Sequence, residues 1–209
     1  MKLDIKLHNE DLPDQLELGD NIAVDCEFMG LNVERDALCL VQISTGNQDA
    51  HIVKLNRETY NAPNLKQLLN NKEVKKIFHY ARFDVAVFKY NFRINIKNIY
   101  CTKIASKLVR TYTDKHGYKD LCSELLGKSI SKTEQSSDWG GELTKDQQKY
   151  AATDVLYLHK IKDKLDMMLH REKRDRLAKA CFDFIQFLSL IHISEPTRRY
   201  AISYAVFCL

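Results

Sequence analysis

No segment of this 209-residue chain is apolar over the roughly 18 to 20 residues that a membrane-spanning helix needs, and no basic stretch leading into an apolar run opens it. A membrane protein is therefore not expected, and the setting read from the sequence is cytoplasmic. The six cysteines (Cys26, Cys39, Cys101, Cys122, Cys181, Cys208) contain no C-x-x-C pair and no Cys/His spacing of the structural-zinc kind, so reduced thiols are expected. Charge of one sign is also scarce. Lys+Arg 32 against Asp+Glu 28 gives +4, which fits a short anionic ligand better than a long nucleic acid tracked along a basic stripe. Internal repeats and low-complexity linkers are absent. What is present, 44% apolar and 29% charged residues over the length of one domain, is the composition of a folded enzyme-sized body.

Periodicity divides the chain. Residues 21–28, 37–45 and 50–55 read as three strands of an antiparallel meander. Beyond them the pattern alternates: helix at 64–71, strand at 74–79, helix at 82–90, strand within 94–100, and helices at 102–110, 118–126 and 144–169. The last of these opens with Thr144 and Gln147, a capping-box spacing. The expected fold class is α/β, a mixed central sheet with antiparallel first three strands and flanking helices. Residues 189–209 abandon the charged helical pattern and end on an apolar run. They resemble translated adaptor sequence, so the expected organisation is one domain over 1–188 and a non-native tail over 189–209.

Five side chains carry candidate chemistry. Asp25 and Glu27 lie two apart in an apolar strand, which sends both carboxylates to one face while Val24, Cys26 and Phe28 point to the other. Two converging anions are costly to bury unless a hard divalent cation neutralises them, which points to Mg²⁺ or Mn²⁺. Asp84 sits where a strand runs into a helix, a place for a third ligand. Tyr150 and Asp154, four apart on a helix, share one face, and the small pair Ala151-Ala152 lets that helix approach the sheet. Each element alone also has a plainer reading: a solvated strand face, an acid favoured at a helix start, routine helix packing. His79 either meets substrate or completes a polar contact at its strand end.

The ordered set, Asp-x-Glu on a first strand, Asp at a strand-to-helix junction and Tyr-x-x-x-Asp on a late helix, resembles the DEDD exonucleases of the tyrosine subclass over residues 20–170. Gly117-Tyr118-Lys119-Asp120-Leu121 and Ser136-Ser137-Asp138-Trp139 are typical of their ribonuclease D branch. Stretches at 76–79, 101–108, 110–114, 135–139 and 178–182 make the chain similar to the small alphaproteobacterial nanoRNase C family. Two departures stand out: Cys26 where the family commonly has Thr, and Gly140-Gly141-Glu142-Leu143 where ribonuclease D proper carries an Arg-x-Leu run. Cys26 is expected to face the core.

The resemblance implies a ribonuclease H-like (DnaQ-like exonuclease) fold and a 3′-to-5′ exoribonuclease acting on diribonucleotides, assembled as a homo-octamer. On this reading Asp25, Glu27, Asp84 and Asp154 hold two Mg²⁺ or Mn²⁺ ions, and Tyr150 orients the attacking water. Leu31 is placed either to wedge between the two bases or to fill the core. Lys107, Arg110, Tyr112 and His116 are the candidate grip for the 5′ phosphate, or else a solvated basic face. The rival functions are ribonuclease-D-like trimming of longer RNA, and a nucleic-acid-binding module with an inactive site.

Overall fold

The computed structural model describes residues 3–30, 35–130 and 137–187. Its centre is a six-stranded sheet built from β1 (Asp4–Asn9), β2 (Asn21–Phe28), β3 (Leu38–Ser44), β4 (Asp49–Lys54), β5 (Lys75–Phe78) and β6 (Ile99–Cys101), in the order β1-β4-β3-β2-β5-β6. Strands β2, β3 and β4 form the expected antiparallel meander; β5 pairs parallel to β2, and β6 parallel to β5. β3 is buried along its whole length, as its apolar run Leu38-Cys39-Leu40-Val41 requires of a central strand. β1 was not expected. Its residues Asp4, Lys6, His8 and Asn9 are polar, and it is held as an edge strand parallel to β4.

The helices are α1 (Pro63–Asn70), α2 (Arg82–Phe92), α3 (Thr102–Val109), α4 (Tyr118–Leu126), α5 (Lys145–Leu156), α6 (Leu158–Arg171) and α7 (Asp175–Ile185). Helix α5 packs on β2, β3 and β4, with Ala151 and Ala152 fully buried at the contact. The capping box forms: Gln147 N–H donates to Thr144 Oγ1 at 3.2 Å and Thr144 N–H to Gln147 Oε1 at 2.9 Å.

The single helix expected over 144–169 is two helices, broken at Tyr157 (φ −105°, ψ −2°). The cause is a side chain inserted into the helical ladder. The Tyr118 hydroxyl donates to the Thr153 carbonyl at 2.6 Å and accepts from the Tyr157 amide at 3.3 Å, taking the place between two groups that would otherwise pair i to i+4.

Candidate active site

Parallel strands β2, β5 and β6 end on the same edge, and β5 and β6 run straight into the turns that start α2 and α3, which brings His79, Tyr80, Asp84 and Lys103 towards the end of β2. Asp25 and Glu27 come from β2, opposite Gln42 and Leu40 of β3, with an irregularity in the register at Glu27/Phe28. Asp154 and Tyr150 descend from α5, and Asp84 from the first turn of α2. The resulting cleft, about 390 Å³, is lined among the described residues by Asp25, Cys26, Glu27, His79, Tyr80, Lys103, Tyr118, Lys119, Ile130, Tyr150 and Asp154.

Asp25, Glu27 and Asp154 each offer a carboxylate oxygen within 4.8 Å of the other two. Burial raises Asp25 to about 7. Burial, and then the charges of Asp25, Asp154 and Asp84, push Glu27 up to about 10. Asp84, buried and facing Asp25, is also held well above the usual carboxylate range. Such a set resists ionising until a cation joins it, and hard oxygen donors crowded this closely suit a divalent ion.

Asp84 stands outside the trio. Its Oδ1 accepts a hydrogen bond from the Cys26 thiol at 2.7 Å, and burial followed by the Asp84 charge keeps that thiol protonated. Cys26, expected only to face the core, therefore touches an acid of the site.

Tyr150 is held from behind by the motif just before α5. Trp139, 2% exposed, lies with its ring 6.0 Å from that of Tyr150, and Gln147 ties the segment to α5 by donating to the Asp138 carbonyl at 2.9 Å. At Gly140 a Cβ would lie 2.7 Å from both Arg57 Nη1 and Met29 Sδ, the far ends of two flexible side chains that would have to shift to admit it. Burial, then Asp154 and Glu27, raise the Tyr150 phenol above its ordinary value, so it keeps its proton.

His79 reaches the cleft. The Thr102 hydroxyl donates to the Phe78 carbonyl at 3.2 Å, so Thr102 Oγ1 accepts from His79 Nδ1–H at 2.9 Å. Burial, helped by Lys103, lowers the imidazole to about 3. The ring is neutral, with Nε2 left as an acceptor.

The proposed phosphate grip is distributed differently. Arg110 is fully buried and committed to Glu124, to Ser106 Oγ at 2.9 Å and to the Lys115 carbonyl at 2.7 Å. His116 Nδ1 bonds Ser106 Oγ at 2.8 Å, and Tyr112 is 72% exposed beside Arg110. None of the three, nor Lys107, lines the cleft. The cations that do are Lys103, one turn before Lys107 on α3, and Lys119. Lys103 Nζ stands 3.9 Å from the centre of the Tyr80 ring. Tyr80 itself holds φ 70°, a left-handed conformation unusual for tyrosine that costs about 1 kcal/mol or more. Leu31 and residues 189–209 lie outside the described residues.

The sequence reading missed Lys103, Lys119, Tyr80 and Tyr118 as cleft residues. For Tyr80 and Lys103 the strand-to-helix junctions after β5 and β6 were the available signal, because in open α/β sheets the residues just past the strand ends face the ligand crevice; Tyr118 and Lys119 open α4, away from any strand end.

Comparison with known proteins agrees with this geometry. Residues 5–170 match a family model described as 3′-5′ exonuclease. Ribonuclease D of Acidiphilium cryptum is 33% identical over 164 residues, 78% of this chain and 41% of that protein. Ribonuclease D of Gluconacetobacter diazotrophicus is 33% identical over 154 residues, 73% of this chain and 39% of that protein. The chain thus spans about two fifths of the length of these relatives. Among solved structures, Brucella melitensis NrnC with bound Mg²⁺ is 44% identical with a TM-score of 0.86, covering 96% of this chain and 100% of that one. The same organism's NrnC bound to pGG is 45% identical with a TM-score of 0.87, covering 97% and 100%. The expected DnaQ-like exonuclease fold is the observed one.

Proposed function

The chain belongs to the 3′-5′ exonuclease family, hydrolases of the ribonuclease D and NrnC type, and from that premise we propose that it cleaves short RNA, preferentially diribonucleotides, into nucleoside 5′-monophosphates. The observation that carries the proposal is the close trio Asp25, Glu27 and Asp154 at the bottom of a cleft whose other wall is cationic and aromatic. Anions gathered this way oppose a polyanion unless divalent cations join them. This disfavours a binding module with an inactive site.

Asp25, Glu27 and Asp154 would hold one Mg²⁺ or Mn²⁺, and Asp84 together with Asp25 a second. Bound there, the ions supply Lewis acidity, offsetting charge on the phosphodiester and acidifying the attacking water. Tyr150, with its phenolic proton retained, orients that water and does not deprotonate it. Neutral His79 accepts through Nε2 from a hydroxyl of the nucleotide. Lys103 and Lys119 offset phosphate charge at the cleft wall. The size of ligand is supported by NrnC bound to pGG and by the modest net charge.

We further propose a homo-oligomer, an octamer by resemblance, with Leu177 and Phe184 of α7, exposed by 52% and 40% on a single face, buried between copies; light scattering checks the mass. Residues 1–188 are proposed as the exonuclease domain and 189–209 as a dispensable tail, so a chain stopped after residue 188 retains activity.

A Mn²⁺ time course on 5′-labelled RNAs of two, three, five and twenty nucleotides tests the reading. Fastest release of monophosphate from the dinucleotide is expected. Equal rates at every length would instead favour ribonuclease-D-like trimming, and binding without any release would remove the enzyme reading.

A further inference from the structure

We propose that Tyr118 is a positioning residue for Asp154, acting as a wedge that sets the angle at which α5 delivers its acid to the site. The inference rests on the reading of Asp154 as an ion ligand and adds the residue that determines where that ligand stands.

A helix propagates because each carbonyl receives the amide four residues on. From Lys145 to Arg171 the chain is helical on both sides of one interruption, at Tyr157. The carbonyl of Thr153 and the amide of Tyr157 are the pair that should close there, and the Tyr118 hydroxyl stands between them, donating to one and accepting from the other. Both groups remain satisfied, so the break carries no orphaned backbone polar group. Asp154 follows Thr153 directly, on the last turn before the wedge.

The wedge is itself anchored to the opposite wall. The Tyr118 ring lies 5.8 Å from that of His79, whose Nδ1–H is tied through Thr102 Oγ1 to the end of β5. A continuous chain of contacts therefore runs from the sheet edge, through His79 and Tyr118, to the backbone beside Asp154. α4, which carries Tyr118, also packs against α6, the helix beyond the break. With the hydroxyl removed, the Tyr157 amide can give up its other acceptor, the Val155 carbonyl, and pair directly with Thr153, so that α5 and α6 straighten towards one another and Asp154 shifts relative to Asp25 and Glu27. A carboxylate displaced from a shared ion lowers metal affinity in the way that loss of an outer-shell partner does, on the order of tenfold.

The test uses the full chain with Tyr118→Phe, which keeps the ring and its contact with His79 and removes only the hydroxyl. Mn²⁺ binding is followed by electron paramagnetic resonance without substrate, and amide exchange at Tyr157 is followed without metal. The expected result is about tenfold weaker Mn²⁺ binding, altered Tyr157 exchange, and a fall in kcat larger than any change in KM. Replacement by p-aminophenylalanine, which restores a donor towards Thr153, is expected to recover part of the Mn²⁺ affinity. A Tyr118→Phe protein with wild-type Mn²⁺ affinity and unchanged Tyr157 exchange would overturn the proposal. So would a Phe variant whose affinity loss is matched by p-aminophenylalanine, since that assigns the effect to general packing. If the wild type itself binds no Mn²⁺, the reading of Asp154 fails, an outcome separate from failure of the wedge.

Discussion

Glu27→Gln is expected to stabilise the metal-free protein at neutral and alkaline pH while weakening its response to divalent ions. In an unfolded chain Glu27 titrates at 4.5, whereas burial and the surrounding acids hold it up to about 10 in the fold. Between those values the folded form carries the extra proton. The stabilisation is therefore complete below about pH 4.5 and is lost as pH rises towards the folded value. Each pH unit inside the window is worth about 1.4 kcal/mol for one such group, so pH 5 to pH 8 spans about 4 kcal/mol at most. Relaxation and water entry reduce this, and a loss of about 2 kcal/mol is a conservative expectation. Asp25 contributes the same sign over a shorter range, ending near 7. Urea unfolding in the presence of a chelator, at several pH values across this window, gives the measurement. Wild type should lose stability with rising pH, and Glu27→Gln should lose markedly less and overtake it at the alkaline end. Saturating Mg²⁺ should flatten or reverse the wild-type trend. Parallel pH profiles for the two proteins would refute the argument that Glu27 is held out of its ordinary range.

Asp25→Asn and Asp154→Asn should each reduce kcat for a dinucleotide on the order of a thousandfold or more, read as monophosphate released, with the metal-free fold intact by circular dichroism. Cys26→Ala should weaken Mn²⁺ binding severalfold by releasing Asp84, and Cys26→Ser, which keeps a donor, should bind more nearly as wild type; a calorimetric titration of the metal separates them. Arg110→Met should cost about 1 to 3 kcal/mol in urea unfolding, because it leaves Ser106 Oγ and the Lys115 carbonyl without their donor, while Glu124, 39% exposed, is left to water. A dinucleotide KM that rises with fold stability unchanged would return Arg110 to the role of phosphate grip.

The legible part of this protein was what repeats at short range. Alternation marked β2, β3 and β4, and the spacing of Thr144 and Gln147 marked the start of α5. Strand period sends Asp25 and Glu27 to one face of β2, and helix period sends Tyr150 and Asp154 to one face of α5, so each half of the site could be read locally; packing of α5 on β2 joins the two halves. The rest depended on partners distant in sequence. β1 carries too many polar residues to announce a strand, and exists because β4 offers it an edge. The break at Tyr157 has no local breaker such as proline; it is caused by a hydroxyl 39 positions away. Arg110 looked like a free cation on a basic helix until Glu124, a helix later, claimed it. Lys103 was overlooked for a neighbour one turn along, because which turn of α3 faces the cleft is decided by how α3 leaves β6.

The acids at and behind the cleft come from residues 25, 27, 84 and 154, carried by β2, α2 and α5, so the last of them is in place only when α5 is packed on the sheet. The last of these carboxylates lies 129 residues beyond the first (154 − 25). Nuclease activity therefore cannot precede assembly of the domain. Cation uptake reports on whether β2, α2 and α5 have been brought together.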